Sequence, residues 1–501
     1  MTENLFTRFA APALHRNKVF LAPPGRQAIT FAETFDQAGR YAHVLTAHGA
    51  KKGDRVAVQV DKSAENIFLY LACLRAGLVY LPLNTGYTAG ELGYFIGDAA
   101  PTIFVCAPRD LETVKGIFPP GAVLTLGDDG RSGSLLEEAA GQPLDFPDAV
   151  LGENDLASIL YTSGTTGVSK GAMLTHGNLW SNAEVLRREW RFGHDDVLLH
   201  ALPIFHIHGL FVAINICLAA RASIILLPRF DIAEIFRFLP AATVMMGVPT
   251  FYVRLLQDPR LTRATAGHMR LFVSGSAPLL AETHREWSAK TGQAILERYG
   301  MTETNMNTTN PYEGARKPGS VGLPLPGTTL RIADGDGKAL PQGEIGMIEV
   351  RGPNVFAGYW RMPEKTAAEF RADGFFITGD LGMIDEDGYV HIVGRAKDLI
   401  ISGGFNVYPK EIESLIDELP GVTESAVIGL PHKDFGEGVT ALVVLNKDAA
   451  LSPADILLAL KDKLAKFKQP KAVLFTDQFP RNALGKVQKN LLRDQYKDLY
   501  A

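Results

Sequence analysis

The stretch YTSGTTGVSKGAMLTH, Tyr161 to His176, gathers small hydroxyl residues and glycines ahead of Lys170. Such a segment can turn backbone N–H groups, hydroxyls and one ammonium toward a single anion, because glycine lets the backbone come close. The chemistry it suits is phosphate binding. It is not the P-loop pattern, which needs four residues between its glycines and then Lys-Ser/Thr. Here Gly164 and Gly167 are three apart, and Lys170 is followed by Gly171. Taken alone, the same residues would also make a flexible surface loop. A second Gly/Ser segment, GSAPL from Gly275, lacks the flanking glycines of a hydrolase nucleophile elbow. Cys73, Cys106 and Cys217 are far apart in apolar surroundings, without disulfide or zinc spacing.

A phosphate loop must be held by regular elements. LASILYT, Leu156 to Thr162, reads as the strand before it, and HGNLWSNAEVLRREW as the helix after it. The same order recurs along the chain. Alternation in RVAVQV, Arg55 to Val60, predicts a strand. Ser63 can cap a helix over AENIFLYLACLRA that stops at Gly77, and VYLPLN follows as a strand. SIILLP leads to DIAEIFRFL, ATVMMGVP to TFYVRLLQ, and RLFVSGSAPL to AETHREWSAKTG. Alternating strands and helices predict an α/β architecture with largely parallel sheets. After about residue 320 the rhythm changes to short strands with glycine turns, as in TLRIADGDGK and GMIEVRGP, predicting an antiparallel or barrel-like subdomain. After GRAKD comes a compact mixed segment that can form its own α+β domain.

Apolar residues make up 46% and charged residues 21% of the 501, enough for a large core in more than one domain. A net charge of −5 argues against nucleic acid or an anionic membrane as the main partner. The longest apolar stretch, VLLHALPIFHIHGLFVAINICLAARASIILLP, is interrupted by histidines, an asparagine and Arg221, so it reads as core and not as a membrane span. The first residues, MTENLFTRF, lack the pattern of a secretory leader. A cytoplasmic protein is expected.

The Gly/Thr loop is accompanied, in order, by FHIHGL, SGSAPL, ERYGMTET, GYW, TGD, GRAKDLIISGGFNVYPKEIE and PRNALGK. Together these resemble the signature of the adenylate-forming superfamily of acyl-CoA synthetases, adenylation domains and luciferases, over nearly the whole chain. GSAPLLAETHREW, RYGMTETNMNT and GFFITGDLG are similar to stretches of malonate–CoA ligases. The resemblance implies a large N-terminal domain of α/β layers plus a barrel-like β subdomain over 1–394, a hinge at 395–397, and a small mobile α+β C-terminal domain over 398–501. It also implies two steps. A carboxylate attacks the α-phosphorus of ATP, giving an acyl-adenylate and pyrophosphate, and the thiol of coenzyme A then displaces AMP.

Roles carry over position by position. Thr162, Ser163, Gly164, Thr165, Thr166, Gly167 and Lys170 would wrap the β- and γ-phosphates. Thr165 and Glu303 resemble the positions that hold Mg²⁺, a hard cation that takes oxygen ligands. Ser276, Ala277, Pro278, Glu297, Arg298 and Tyr299 would frame the adenine, Tyr299 by stacking, with Gly300, Met301 and Thr302 completing the nucleotide site. Asp380 would accept hydrogen bonds from the ribose hydroxyls, and Arg395 would reach the ribose or α-phosphate. Lys486 in PRNALGK resembles the lysine that bridges carboxylate and α-phosphate during adenylation. Lys397 matches the hinge position. Ser402, Gly403 and Gly404 would face the pantetheine arm of coenzyme A after the small domain rotates.

A dicarboxylate needs a fixed cation for its distal carboxylate, because a buried unpaired anion is prohibitive. Similarity to malonate–CoA ligases implies Arg285 at the pocket end, His206 and Ser276 as supporting donors and Met306 as wall, for malonate or small 2-alkylmalonates. His206 has a further implied role as a gate toward the coenzyme A tunnel, and His208 reads as structural. Alternatives remain a short- or medium-chain acyl-CoA synthetase of other specificity, an adenylation enzyme loading a carrier protein, and a non-catalytic nucleotide-binding protein on the same fold. A lysine acetyltransferase acting on Lys486 is an expected regulatory partner, since acetylation removes the charge.

Overall fold

The computed structural model describes residues 2–11, 14–118, 122–162, 169–446, 449–461, 463–481 and 486–500. Helices and strands alternate along the first three hundred residues, as the α/β reading expects. Two sheets form there. One has six strands, in the order Ala122–Thr125, Ile103–Cys106, Arg55–Gln59, Val79–Pro82, Leu156–Thr162 and Lys170–Thr175. Its pairs are parallel except the last, where Leu156–Thr162 runs antiparallel to Lys170–Thr175 and the Gly/Thr loop joins them. The other has nine strands, with Val197–His200 between Val244–Gly247 and Ser223–Leu226 in a parallel run.

Local chemistry accounts for many of the boundaries. Ser63 accepts a hydrogen bond from the Asn66 N–H and caps helix Ala64–Ala76, which Gly77 ends at φ 72°. Every residue of that helix except Arg75 is buried, as befits an element packed on several sides. The helix over Ala281–Thr291 buries Thr283, His284, Trp287 and Thr291, one face only.

The parallel order breaks at ERYGMTET. Leu296–Met301 turns back on Asn305–Thr309 as an antiparallel pair, so Thr302, Glu303 and Thr304 form a hairpin tip. Beyond it, Thr329–Ala333, Gly346–Arg351, Phe376–Ile384 and Val390–Arg395 make a four-stranded antiparallel sheet, the change of rhythm expected after residue 320. Residues from Ile400 onward build a five-stranded sheet with helices Pro409–Asp417, Pro453–Lys461 and Lys489–Tyr496. That segment buries its own clusters, one around Ile412, Val427, Val439 and Val443, another around Ile428, Leu442 and Leu492. Among the described residues no helix is long and apolar enough to cross a membrane.

Candidate active site

Three loops and a sheet edge converge. The hairpin tip delivers Glu303, whose residue is 5% exposed. Its Oε1 lies 3.1 Å from the Tyr359 hydroxyl and 3.4 Å from the Thr162 hydroxyl at the end of the strand before the Gly/Thr loop. Burial lifts its carboxyl above the ordinary range, against the Tyr359 hydroxyl and the charges of Lys170 and Arg395. Lys170 donates to Glu369 at 3.1 Å, and its Nζ sits 4.0 Å from the centre of the Tyr359 ring. Glu369 also takes the Tyr359 hydroxyl at 2.6 Å and Lys365 at 2.7 Å. Ser163, Gly164, Thr165, Thr166 and Gly167 lie outside the described residues.

Among the described residues no group of three or more His, Cys, Asp or Glu side chains stands ready to hold a metal. A lone carboxylate beside a hydroxyl nevertheless fits Mg²⁺, which usually takes one or two carboxylates and completes its shell with phosphate oxygens and water. Glu303, with the Thr162 hydroxyl beside it, supplies donors of that kind.

On the four-stranded sheet Asp380 and Arg395 are register partners. Arg395 Nε donates to Asp380 Oδ1 at 2.7 Å, and the Tyr299 hydroxyl donates to Oδ2 at 2.6 Å. Burial would lower the Arg395 guanidinium, but the carboxylates around it, Asp380 first, hold it above its usual value. Lys486 joins this cluster from the C-terminal segment. Burial and Arg395 push its ammonium down to about 8, with Asp380 and Asp398 pulling the other way. Solvent still reaches the Lys486 residue. Asp398 is held by Arg493 at 2.6 Å, beside an exposed Lys397 in the short turn Ala396–Asp398.

The SGSAPL loop makes the other wall. Ser276 has φ 71°, a left-handed conformation that is uncommon for a serine and clusters at ligand sites. Its hydroxyl meets His208 Nδ1 at 3.2 Å. Glu297 accepts from the Leu279 N–H at 3.2 Å, and burial pushes its carboxyl up to about 8. Ala277 is half-buried and Pro278 exposed at the loop's outer turn. Gly300 approaches the returning strand so closely that a Cβ there would fall 1.9 Å from the Asn305 carbonyl and 2.6 Å from the Met306 methyl. Met301 and Thr302 are half-buried at the tip, and Met306 is fully buried behind it.

Two arginines differ in burial. Arg285, expected at the pocket end, lies on the exposed face of helix Ala281–Thr291; its side chain is 59% exposed and 3.9 Å from Glu418. Arg298, expected to frame the adenine, is a buried cation, 3% exposed. It lies against the backbone of Gly275, where a Cβ would stand 2.4 Å from the guanidinium carbon. Its Nε and Nη2 find no hydrogen-bond partner among the described residues. Burial brings it down to about 9. His206 and His208 both feel its charge. Burial and Arg298 hold His206 down to about 4 and His208 well below its ordinary range, so both imidazoles are neutral at pH 7. His208, read from sequence as structural, therefore contacts the site loop directly, and its Nε2 is also without a partner among the described residues. It opens a π-helical turn over His208–Ile214, a widening often found at functional sites.

Sequence reasoning assigned no role to Tyr359 or Glu369. Ser402, Gly403 and Gly404 form a hairpin between Ile400–Ser402 and Phe405–Val407; both glycines are exposed, with φ 58° and 83°. A Cβ at Gly404 would meet nothing within 4 Å, so in this arrangement the turn itself calls for glycine.

Residues 8–360 match the family model for the AMP-binding enzyme, and residues 411–486 that for the AMP-binding enzyme C-terminal domain. A malonate–CoA ligase of Arabidopsis thaliana is 36% identical over 488 residues, covering 89% of this chain and 78% of its own. A feruloyl-CoA synthase of an Amycolatopsis species is 36% identical, with 94% and 95% covered. Among solved structures, ATP-bound MatB from Rhodopseudomonas palustris is 62% identical over the full length of both chains, with a TM-score of 0.98. The apo form of that same protein overlays at 0.88. The chain thus overlays the ATP-bound form of that protein better than its apo form. With one family model spanning most of the chain and relatives at 36% identity over most of both lengths, the chain belongs to the AMP-binding enzyme family.

Proposed function

We propose that the protein ligates malonate to coenzyme A at the expense of ATP, through malonyl-adenylate. A malonate carboxylate oxygen forms a bond to the α-phosphorus while the bond to pyrophosphate breaks. The coenzyme A sulfur then bonds to the acyl carbon, its proton is lost, and AMP leaves. Mg²⁺ bound at Glu303 would draw charge from the triphosphate. Lys170 offers a cation to the same phosphates, Asp380 an anion to the ribose hydroxyls, and Lys486 a cation to the carboxylate and α-phosphate together. Residues 1–394, the hinge at 395–397 and the lid over 398–501 are the units that would move between the two steps, with the SGGF hairpin replacing Lys486 in the second. The better overlay on an ATP-bound relative supports reading the present arrangement as the adenylating one.

The observation that carries the substrate assignment is Arg298. A buried guanidinium whose Nε and Nη2 have no hydrogen-bond partner among the described residues is suited to the distal carboxylate of a dicarboxylic acid. Ser276 and neutral His206 and His208 beside it can donate or accept without adding charge. A panel of acids scored by thioester formation tests this. Malonate, with small 2-alkylmalonates behind it, should exceed acetate and butyrate by about 10⁴ in kcat/KM. Preference for a medium-chain fatty acid or a cinnamate would overturn it.

A pH prediction follows from Lys486. Adenylation needs the charged lysine, and its ammonium is held down to about 8. Deprotonation removes the cation, so the loss is on the alkaline side. The kcat/KM for ATP in pyrophosphate exchange, which reports the free enzyme, should fall as pH rises through about 8. Thioester formation from supplied malonyl-adenylate should not follow that step. Acetylation of the solvent-accessible Lys486 by a lysine acetyltransferase would have the same consequence at every pH. The buried free cysteines suit a reducing, cytoplasmic setting.

A further inference from the structure

We propose that Lys62 is a positioning residue that holds the two pocket histidines in place. It rests on the reading that this pocket receives the acid. Lys62 follows strand Arg55–Gln59 of the six-stranded sheet, just before Ser63 caps its helix. Its ammonium crosses to the nine-stranded sheet, where it donates to the carbonyls of His200 and Leu202, each at 2.9 Å, and meets His200 Nδ1 at 2.7 Å. Three acceptors thus serve three N–H groups, and all are neutral.

His200, 1% exposed, completes the link. Its Nε2 lies 2.8 Å from the Gly209 carbonyl, which can only accept, so Nε2 carries the proton and Nδ1 presents its lone pair to Lys62. Gly209 in turn is pressed against Pro203, whose carbonyl would be 1.9 Å from a Cβ at 209. The segment from His200 to Gly209 is therefore a closed loop with Lys62 bound at its root. His206 and His208 stand on that loop, and His208 reaches Ser276. Without Lys62 the loop loses its tie to the other sheet, and the imidazoles shift relative to Ser276 and Arg298. Burial, with no carboxylate to oppose it, pushes the Lys62 ammonium well below its ordinary range, an expensive way to brace a core, which argues that the geometry set by its three hydrogen bonds is used.

The test is Lys62→Met, which keeps length and removes the donors, beside Lys62→Arg and Lys62→Gln. Each is assayed with the acid the wild type turns over best, so a wrong substrate assignment is seen in the wild type alone. Misplacement by about 1 Å can cost ~10²-fold. Lys62→Met should raise KM for the acid by about tenfold to a hundredfold and leave KM for ATP near wild type, with Lys62→Arg recovering part of the loss. In Lys62→Met the imidazole nitrogen resonances of His206 and His208 should move. An unchanged acid KM in a folded variant, an equal rise in both KM values, or failure of both Lys62→Met and Lys62→Gln to fold would overturn the proposal and leave Lys62 a structural residue.

Discussion

Lys486→Ala is expected to slow adenylate formation by about 10²–10³-fold, some 2.7–4 kcal/mol of transition-state stabilisation, and to leave the thioester step near wild type. The reason is where charge develops. As the carboxylate approaches phosphorus, two anions are brought together, and a mobile ammonium between them is worth most at that moment. Lys486 feels Arg395, Asp380 and Asp398, the groups that surround the nucleotide's expected sugar and α-phosphate. It is carried by the C-terminal segment, which has its own sheet and core clusters, as the proposed movement between the two steps requires. Two assays separate the steps: malonate-dependent exchange of pyrophosphate into ATP, and conversion of supplied malonyl-adenylate by coenzyme A. Equal loss in both would remove the lysine from its proposed role.

The elements were legible in the sequence where their causes are local. Ser63 and Gly77 bracket a helix because a cap and a left-handed stop act within one turn of it. The Gly/Thr loop alone left a surface loop as open as an anion site, and only the motifs that follow it in order weighted the reading toward phosphate. What could not be read was which face a side chain takes when distant strands decide it. His208 lies in a π-helical turn whose widening has no local sign, and its partner Ser276 is on another strand's loop. Glu369 meets Lys170 from far along the chain. Arg285 is a different case. The burial of Thr283, His284, Trp287 and Thr291 follows helical spacing, so the position between them could have been read as outward-facing from Trp287 and its helical neighbours alone.

The contrast in burial between Arg285 and Arg298 yields the sharpest test of substrate choice. Arg298→Met should lower kcat/KM for malonate by about 10⁴, the scale on which a site built for a polar group rejects a loss of pairing. The loss should appear mainly as a raised KM for malonate, with ATP binding spared and activity on butyrate unchanged or improved. The fold should respond in the opposite direction. Arg298 is buried with two N–H groups unpaired among the described residues, and burial holds it down to about 9. Keeping such a cation without its anion destabilises the empty protein, and a well-packed apolar side chain of similar length relieves that cost. The melting temperature of Arg298→Met without ligand should therefore equal or exceed that of the wild type, while added malonate stabilises only the wild type. Arg285→Ala, which removes an exposed group 3.9 Å from Glu418, should leave malonate KM within about twofold, since such surface pairs contribute ~0–1 kcal/mol. A large malonate defect in Arg285→Ala with none in Arg298→Met would return the distal carboxylate to the helix and remove the buried guanidinium from the pocket's chemistry.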